Sequence, residues 1–237
     1  MSNPPHSSTD TSRTNEYTVL SDHSPIESLL EIKRSEFIGH IIRVETESEA
    51  RAYIESLRKQ YHDARHVCSA FVLGPDRDVQ RSSDDGEPAG TAGIPMLQAL
   101  LSRRTRGETD EVADLSDICA VVVRYFGGTK LGAGGLVRAY TDAVVQVLDE
   151  GQLISRRRLR VGEVTLPHAE AGKFENDVRN HGVTVLGTEY LPQHAVVSLG
   201  VFDDPSRLTE TEDLLAQLTA GSAGVRWGET SWVNVQG

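Results

Sequence analysis

Cysteine is almost missing from this chain, with only Cys68 and Cys119 in 237 residues. Each lies inside an apolar segment, VCSAFVL and ICAVVV, so a buried reduced thiol is expected in preference to a disulfide or a metal site. Long hydrophobic runs are missing too. Nothing approaches the roughly 20 apolar residues that span a bilayer, and the N-terminal MSNPPHSSTDTSRTNEYT lacks the apolar segment of a secretory signal. The expectation is a cytoplasmic protein with no membrane partner. Lysine is scarce as well: four lysines stand among the 24 basic residues, against 35 acids, for a net charge of −11. Such an acidic, lysine-poor surface suits a halophilic protein kept soluble at high salt. At molar salt the Debye length shrinks to about 3 Å. Nucleic-acid binding by bulk charge is thereby disfavoured, while a local site built on close contacts stays open.

What is present is enough hydrophobic sequence, 38%, to bury the core of one large or two small domains. Residues 1–16 are rich in Ser, Thr, Asn and Pro and read as a disordered tail. Short strands are predicted over Tyr17–Leu20, Ser28–Lys33, Phe37–Val44 and Val67–Leu73, with an amphipathic helix over Ser48–Tyr61. Pro95 can open a short helix, PMLQALLSR. The unbroken run ICAVVVRY, Ile118–Tyr125, marks a strand buried on both faces. Leu136, Val137, Tyr140, Val144, Val147 and Leu148 then form a helical stripe that Gly151 caps. From Arg160 onward the pattern reads strand, helix, hairpin around Pro192 and Gln193, helix capped by Asp204 or Ser206, strand. That β-α-β-β-α-β order is the ferredoxin-like arrangement. ISRRRLR, residues 154–160, is the expected join between a domain over 17–155 and one over 158–237.

Two segments carry the chemistry. RYFGGTKLGAGGLVRAY, residues 124–140, puts five glycines and Lys130 at a strand-to-helix junction. Backbone NH groups there can approach an anion closely, and the helix dipole favours negative charge. The glycines otherwise serve tight turning and close packing. Val137 stands where GxGxxG needs its third glycine, and no Walker loop is present. SSDDGEPAGTAGIPML, residues 82–97, offers Asp84, Asp85 and Glu87 either as oxygen ligands for Mg or as caps in a rigid turn. Arg81 occupies the place of the first carboxylate, so the calcium-loop spacing fails. His62 and His66 are four apart but lack the glutamate of a zincin. RRTR (103–106) and RRRLR (156–160) are basic patches, either nucleic-acid contacts or solvated loops.

KRSEFIGH, DARHVCSAF, SSDDGEPAGTAGIPML and VVVRYFGGTKLGAGGLVRAY, in that order, closely resemble the YigZ/IMPACT family over residues 30–150. The motifs fall on Ser35, Phe37, His66, Cys68, Asp84 to Thr91, Gly93, Pro95, Arg124 to Gly128, Gly132 and Gly135. The rest of the chain resembles, less specifically, the C-terminal domain of prokaryotic members. The resemblance implies an α+β protein. Its N-terminal domain would be similar to the second domain of a small-subunit ribosomal protein and to phosphorolytic ribonucleases. Its C-terminal domain would be ferredoxin-like and similar to a late domain of elongation factor G. Eukaryotic relatives regulate translation, so RNA, the ribosome or a translation factor is the expected partner, and a metal-assisted enzyme acting on a phosphorylated or nucleotide substrate is the alternative. The candidate ligand-binding set, an anion or nucleic-acid cleft, is His66, Asp84, Asp85, Gly86, Glu87, Arg124, Tyr125, Gly127, Gly128, Lys130, Gly132 and Gly134. Mg is the one cofactor considered, with Asp84, Asp85 and Glu87 as its weak ligands. Catalytic residues and oligomeric state stay unassigned.

Overall fold

A computed structural model describes residues 13–106 and 111–235; most of the expected tail, residues 1–12, lies outside them. The elements run β1 (Glu16–Leu20), β2 (Ile26–Ile32), β3 (Ser35–Arg43), α1 (Glu47–Gln60), β4 (His66–Leu73), β5 (Val79–Ser83), α2 (Gly93–Ser102), β6 (Thr105–Arg106), β7 (Glu111–Val112), β8 (Ile118–Tyr125) and α3 (Gly132–Asp149). They continue as β9 (Leu153–Leu166), α4 (His168–Asn180), β10 (Thr184–Tyr190), β11 (Ala195–Phe202), α5 (Pro205–Leu218) and β12 (Val225–Val235). The chain divides into two compact units between Ser155 and Arg156.

In the first unit a five-stranded antiparallel sheet has the order β2-β3-β8-β4-β5. Central β8 explains why ICAVVVRY carries no polar alternation. Ile118, Ala120 and Val122 face one way, toward a core that includes Met96 and Leu100 of α2 and Tyr140, Val144 and Val147 of α3. Cys119, Val121 and Val123 face the other way, toward Ala50, Ile54 and Leu57 of α1. A two-residue side-chain period feeds two cores from one strand. β5 has the polar sequence VQRSS and no hydrophobic periodicity to announce it; it forms because its backbone completes the edge of β4. α1 is closed by a capping box between Thr46 and Glu49. α2 starts at Gly93, two residues before Pro95.

In the second unit β12, β9, β11 and β10 lie side by side in that order, with β9–β11 and β11–β10 antiparallel. Its core joins Val164, Leu166, Val197 and Leu199 to Phe174, Val178 and Leu215. Asp204 caps α5 by accepting the NH groups of Ser206 and Arg207. The expected join at 154–160 holds the division between the units, and it is strand, with β9 running through it without a break. A basic, apolar-poor stretch reads as loop, yet its register against β11, Leu159 to Phe202 and Arg160 to Val201, keeps it extended. Gly151 also differs from expectation. It follows the C-cap Glu150 but is no left-handed cap, because its φ is not positive; a Cβ at 151 would meet Leu20 Cδ2 at 2.9 Å and Ile41 Cδ1 at 3.3 Å, so close packing favours the glycine.

Candidate functional site: a cleft at the start of α3

β8 ends at Tyr125, and the chain must turn sharply to enter α3 above the sheet. Gly127 makes this possible. A side chain there would overlap the backbone of Arg34, and its NH donates to the buried Ser35 Oγ at 3.0 Å. Gly128 and Gly132 take φ of +87° and +71°, which L side chains rarely adopt. Gly134 has neither reason: its φ is not positive, and a Cβ there meets nothing within 4 Å. Among the described residues no side chain caps the N-terminus of α3.

Facing it, the acidic loop is held from inside. Asp84 accepts the NH groups of Gly90 at 2.8 Å, Ala92 at 3.0 Å and Gly93 at 2.8 Å. Burial pushes its carboxyl up, but these three donors outweigh burial and hold it below the usual range. Asp85 adopts φ +45° and accepts from Arg58 Nη2 at 2.8 Å and the Val67 NH at 2.7 Å. Its carbonyl lies 2.9 Å from His66 Nδ1. A carbonyl only accepts, so Nδ1 carries a proton here, and a neutral ring keeps its lone pair on Nε2. Gly86 follows at φ +84°.

Glu87 is the one acid of the loop turned to Arg124. Its Oε1 accepts from Arg124 Nη1 at 2.5 Å and from Tyr140 OH at 2.8 Å, with side chains only 3% and 8% exposed for Glu87 and Arg124. The guanidinium also lies over the Phe37 ring at 5.4 Å and the Phe126 ring at 5.7 Å. Arg124 Nε is buried with no hydrogen-bond partner among the described residues. Cys68 Sγ lies 3.0 Å from the Asp84 carbonyl and 3.4 Å from Tyr140 OH, its one S–H serving the nearer carbonyl, and burial pushes its thiol up to about 12. Cys119 is likewise buried, free and pushed up to about 12 by burial; both thiols are poor nucleophiles.

Between the two loops opens a cleft of about 540 Å³, lined by Arg65, His66, Glu87, Pro88, Arg124, Phe126, Lys130, Leu131, Gly132, Ala133 and Leu136. Because Arg124 and Glu87 cancel, the charge facing the cleft comes from exposed Arg65 and Lys130. Five expected residues line it: His66, Glu87, Arg124, Lys130 and Gly132. Asp84, Asp85 and Gly86 shape its acidic wall from behind, and Gly127 and Gly128 shape the opposite loop. Tyr125 is elsewhere. The strand's alternation sends it to the α1 face, where its hydroxyl donates to Asp63 at 2.7 Å, a bond that pushes the phenol up to about 12. Arg65, Pro88, Phe126 and Tyr140 were not anticipated; Tyr140 reads as one more core position of the α3 stripe. Asp84 and Asp85 are taken up by protein donors and Glu87 is bonded through Oε1, and among the described residues no three His, Cys, Asp or Glu side chains gather to hold a metal ion. His62 stays apart, while Arg103 pairs with Asp149 at 2.6 Å. No helix among the described residues is long and apolar enough to cross a membrane.

The Impact N-terminal domain matches residues 33–148, the sheet and cleft just described, and a domain of unknown function (DUF1949) matches residues 164–222. IMPACT family member YvyE of Bacillus subtilis is 37% identical over 202 residues, covering 85% of this chain and 87% of that one. The chain belongs to the IMPACT family. The IMPACT family member YigZ of Escherichia coli is 43% identical over 145 residues, which is 60% of this chain and 65% of that protein. A Haemophilus influenzae family member is 47% identical over 161 residues, 64% of this chain and 73% of its own length. A solved structure described as a hypothetical protein, 30% identical, superposes with a TM-score of 0.56 over 91% of this chain and 98% of that one.

Proposed function

We propose that this IMPACT family protein is a translation-associated RNA-binding factor whose first unit seats backbone phosphate in the cleft. One observation carries the reading: among the described residues, the N-terminus of α3 has no side-chain cap and opens into a cleft whose charges outside an ion pair, Lys130 and Arg65, are both positive. Helix-end NH groups and a nearby cation are the ordinary means of holding a phosphate. Such close contacts also keep working where salt screens long-range fields. The metal-assisted enzyme is the weaker reading, because Asp84, Asp85 and Glu87 serve protein donors. The strand order β12-β9-β11-β10 with two helices supports a ferredoxin-like second unit, similar to the elongation factor G domain. For the first unit we favour the ribosomal-protein domain 2-like arrangement. Both are likenesses of fold and lend the function modest weight.

The test is titration of labelled single-stranded RNA into wild type and two variants. Lys130→Ala should weaken binding about tenfold with little change in melting temperature, since Lys130 is exposed. Arg124→Ala should lower both affinity and melting temperature, because it strands Glu87 in a buried site. Undiminished binding by Lys130→Ala would sink the reading.

A further inference from the structure

Beside a seat for an anion, the placement of Glu87 is a puzzle. An acid repels phosphate, yet this one is held at the wall of the cleft with a side chain only 3% exposed. Arg124 neutralises its charge, and that explains how it is tolerated rather than why it is there. Its hydrogen bonds are one-sided. Both protein donors, Arg124 Nη1 and Tyr140 OH, reach Oε1, and no protein donor reaches Oε2 among the described residues. A carboxylate oxygen that lines a cleft and takes no protein donor is open to a ligand that brings an OH or NH donor.

Two neighbours narrow the choice. Arg124, more than nine-tenths buried, lines the same cleft and spends only Nη1 on a protein acceptor, so the guanidinium has donors left for an oxygen that also donates to Glu87. Phe126, 54% exposed, lines the cleft beside Lys130, a flat apolar face next to an anion seat. A phosphate, a hydroxyl that both donates and accepts, and a flat ring are the three parts of a ribonucleotide.

We propose that the cleft takes one ribonucleotide unit and tells ribose from deoxyribose. The phosphate lies on the first NH groups of α3 and Lys130, the 2′-hydroxyl donates to Glu87 Oε2, and the base stacks on Phe126. This rests on the reading of the cleft as a phosphate seat and adds to it the sugar. The volume of about 540 Å³ falls within the range of small-ligand sites. The same unit occurs within single-stranded RNA and as a free nucleotide, and the experiment separates these sources.

Oligo(U) and oligo(dU), each with a 5′-phosphate and a 3′ fluorescent label, are titrated by anisotropy, with UMP and dUMP as unlabelled competitors. The expected result is about tenfold tighter binding of the ribose form, the worth of one hydrogen bond to a charged acceptor. Glu87→Gln should erase that ratio, and Phe126→Ala should weaken both sugars alike. Competition by UMP at the oligomer's own affinity identifies a free nucleotide as sufficient ligand; competition only by oligo(U) identifies a chain. Should Glu87→Gln fail to fold, Glu87→Asp draws the carboxylate back by one methylene and should shrink the ratio. Equal affinity for both sugars, or a ribose preference that survives at position 87, overturns the proposal. If that happens while Lys130→Ala still weakens binding about tenfold, only the sugar assignment falls; if neither oligomer binds, the phosphate seat falls with it.

Discussion

Two glycine-dense loops lead into two helices on the same face of one sheet, and they solve the same problem in opposite ways. Residues 84–93 lead into α2, and residues 126–135 lead into α3. Every helix start leaves backbone NH groups without intrahelical partners. At α2 Asp84 reaches in from the loop and closes part of that start, accepting from Gly93 in the first turn, from Ala92 at the N-cap and from Gly90 before it. At α3, among the described residues, no side chain does the same, and the helix start lines a cleft with Lys130. The first loop is held by an acid of the protein; the second carries no such acceptor among the described residues. The glycines divide along the same line. A Cβ on Gly93 would come within 2.7 Å of the Ser83 backbone and one on Gly127 would overlap Arg34, whereas Gly134 has open space around it.

The steepest test of this contrast is steric. Gly127→Ala forces a methyl into the Arg34 backbone beside the buried Ser35 contact, and backbone, unlike a side-chain tip, cannot swing aside. A loss of about 3 kcal/mol or more is expected in denaturant unfolding. Stability within about 0.5 kcal/mol of wild type would mean that the loop moves freely, and the distinction between packing glycines and open ones would fail.

Next comes the internal cap. Asp84→Ala strips three NH groups of a charged acceptor and should cost about 2–3 kcal/mol, with hydrogen exchange accelerating at the start of α2. The pH dependence has a definite sign. A carboxyl held below its unfolded value contributes stability that is complete above about pH 4 and is lost as the pH falls through the folded value. Asp84→Asn should therefore lose less stability on acidification below about pH 4 than wild type does. An unchanged acid limb would show that the three donors are not set by this charge.

A smaller effect is expected away from both loops. His40 on β3 is 3% exposed, its Nε2 has no partner, and burial pushes its ring below the usual value despite Glu27 Oε2 at 3.6 Å from Nδ1. Between the folded and unfolded values the unfolded chain binds more protons, so this contribution is present above about pH 6.5 and is lost as the pH falls below it. His40→Gln should flatten the melting-temperature profile across that window. A profile as steep as wild type would assign the slope to other groups.

The contrast between the loops was only half legible in the sequence. The strands of the first sheet and both helix stripes follow from periodicity, since ICAVVVRY and the Leu136–Leu148 stripe bury what their spacing says they bury. β5 escaped because VQRSS is held by its edge position alone, and the stretch 154–160 escaped because RRRLR has the composition of a loop and the register of a strand. The cleft residues were found by chemical type, but their division of labour was not. Nothing in SSDDGEP tells that Asp84 turns to the backbone, Asp85 to Arg58 and Glu87 to Arg124, because that choice is made by loop φ angles and by β8, some 40 residues onward. Tyr125 was placed in the cleft beside Arg124 although neighbours on a strand face opposite sides.

The gentlest substitution separates the two loops most cleanly. Gly134 lies in the first turn of α3, where neither its φ nor its surroundings demand glycine. By helix propensity Gly134→Ala should stabilise the protein by about 0.5–1 kcal/mol, since alanine loses less backbone entropy on folding. If a phosphate rests on the NH groups of 132–134, a methyl at position 134 stands in its way. The added methyl should then weaken RNA binding severalfold while the melting temperature rises. Opposite movement of affinity and stability is a pattern that a packing role cannot produce, because a packing glycine loses both together. If Gly134→Ala raises the melting temperature and leaves RNA affinity untouched, the open end of α3 is not where the phosphate sits.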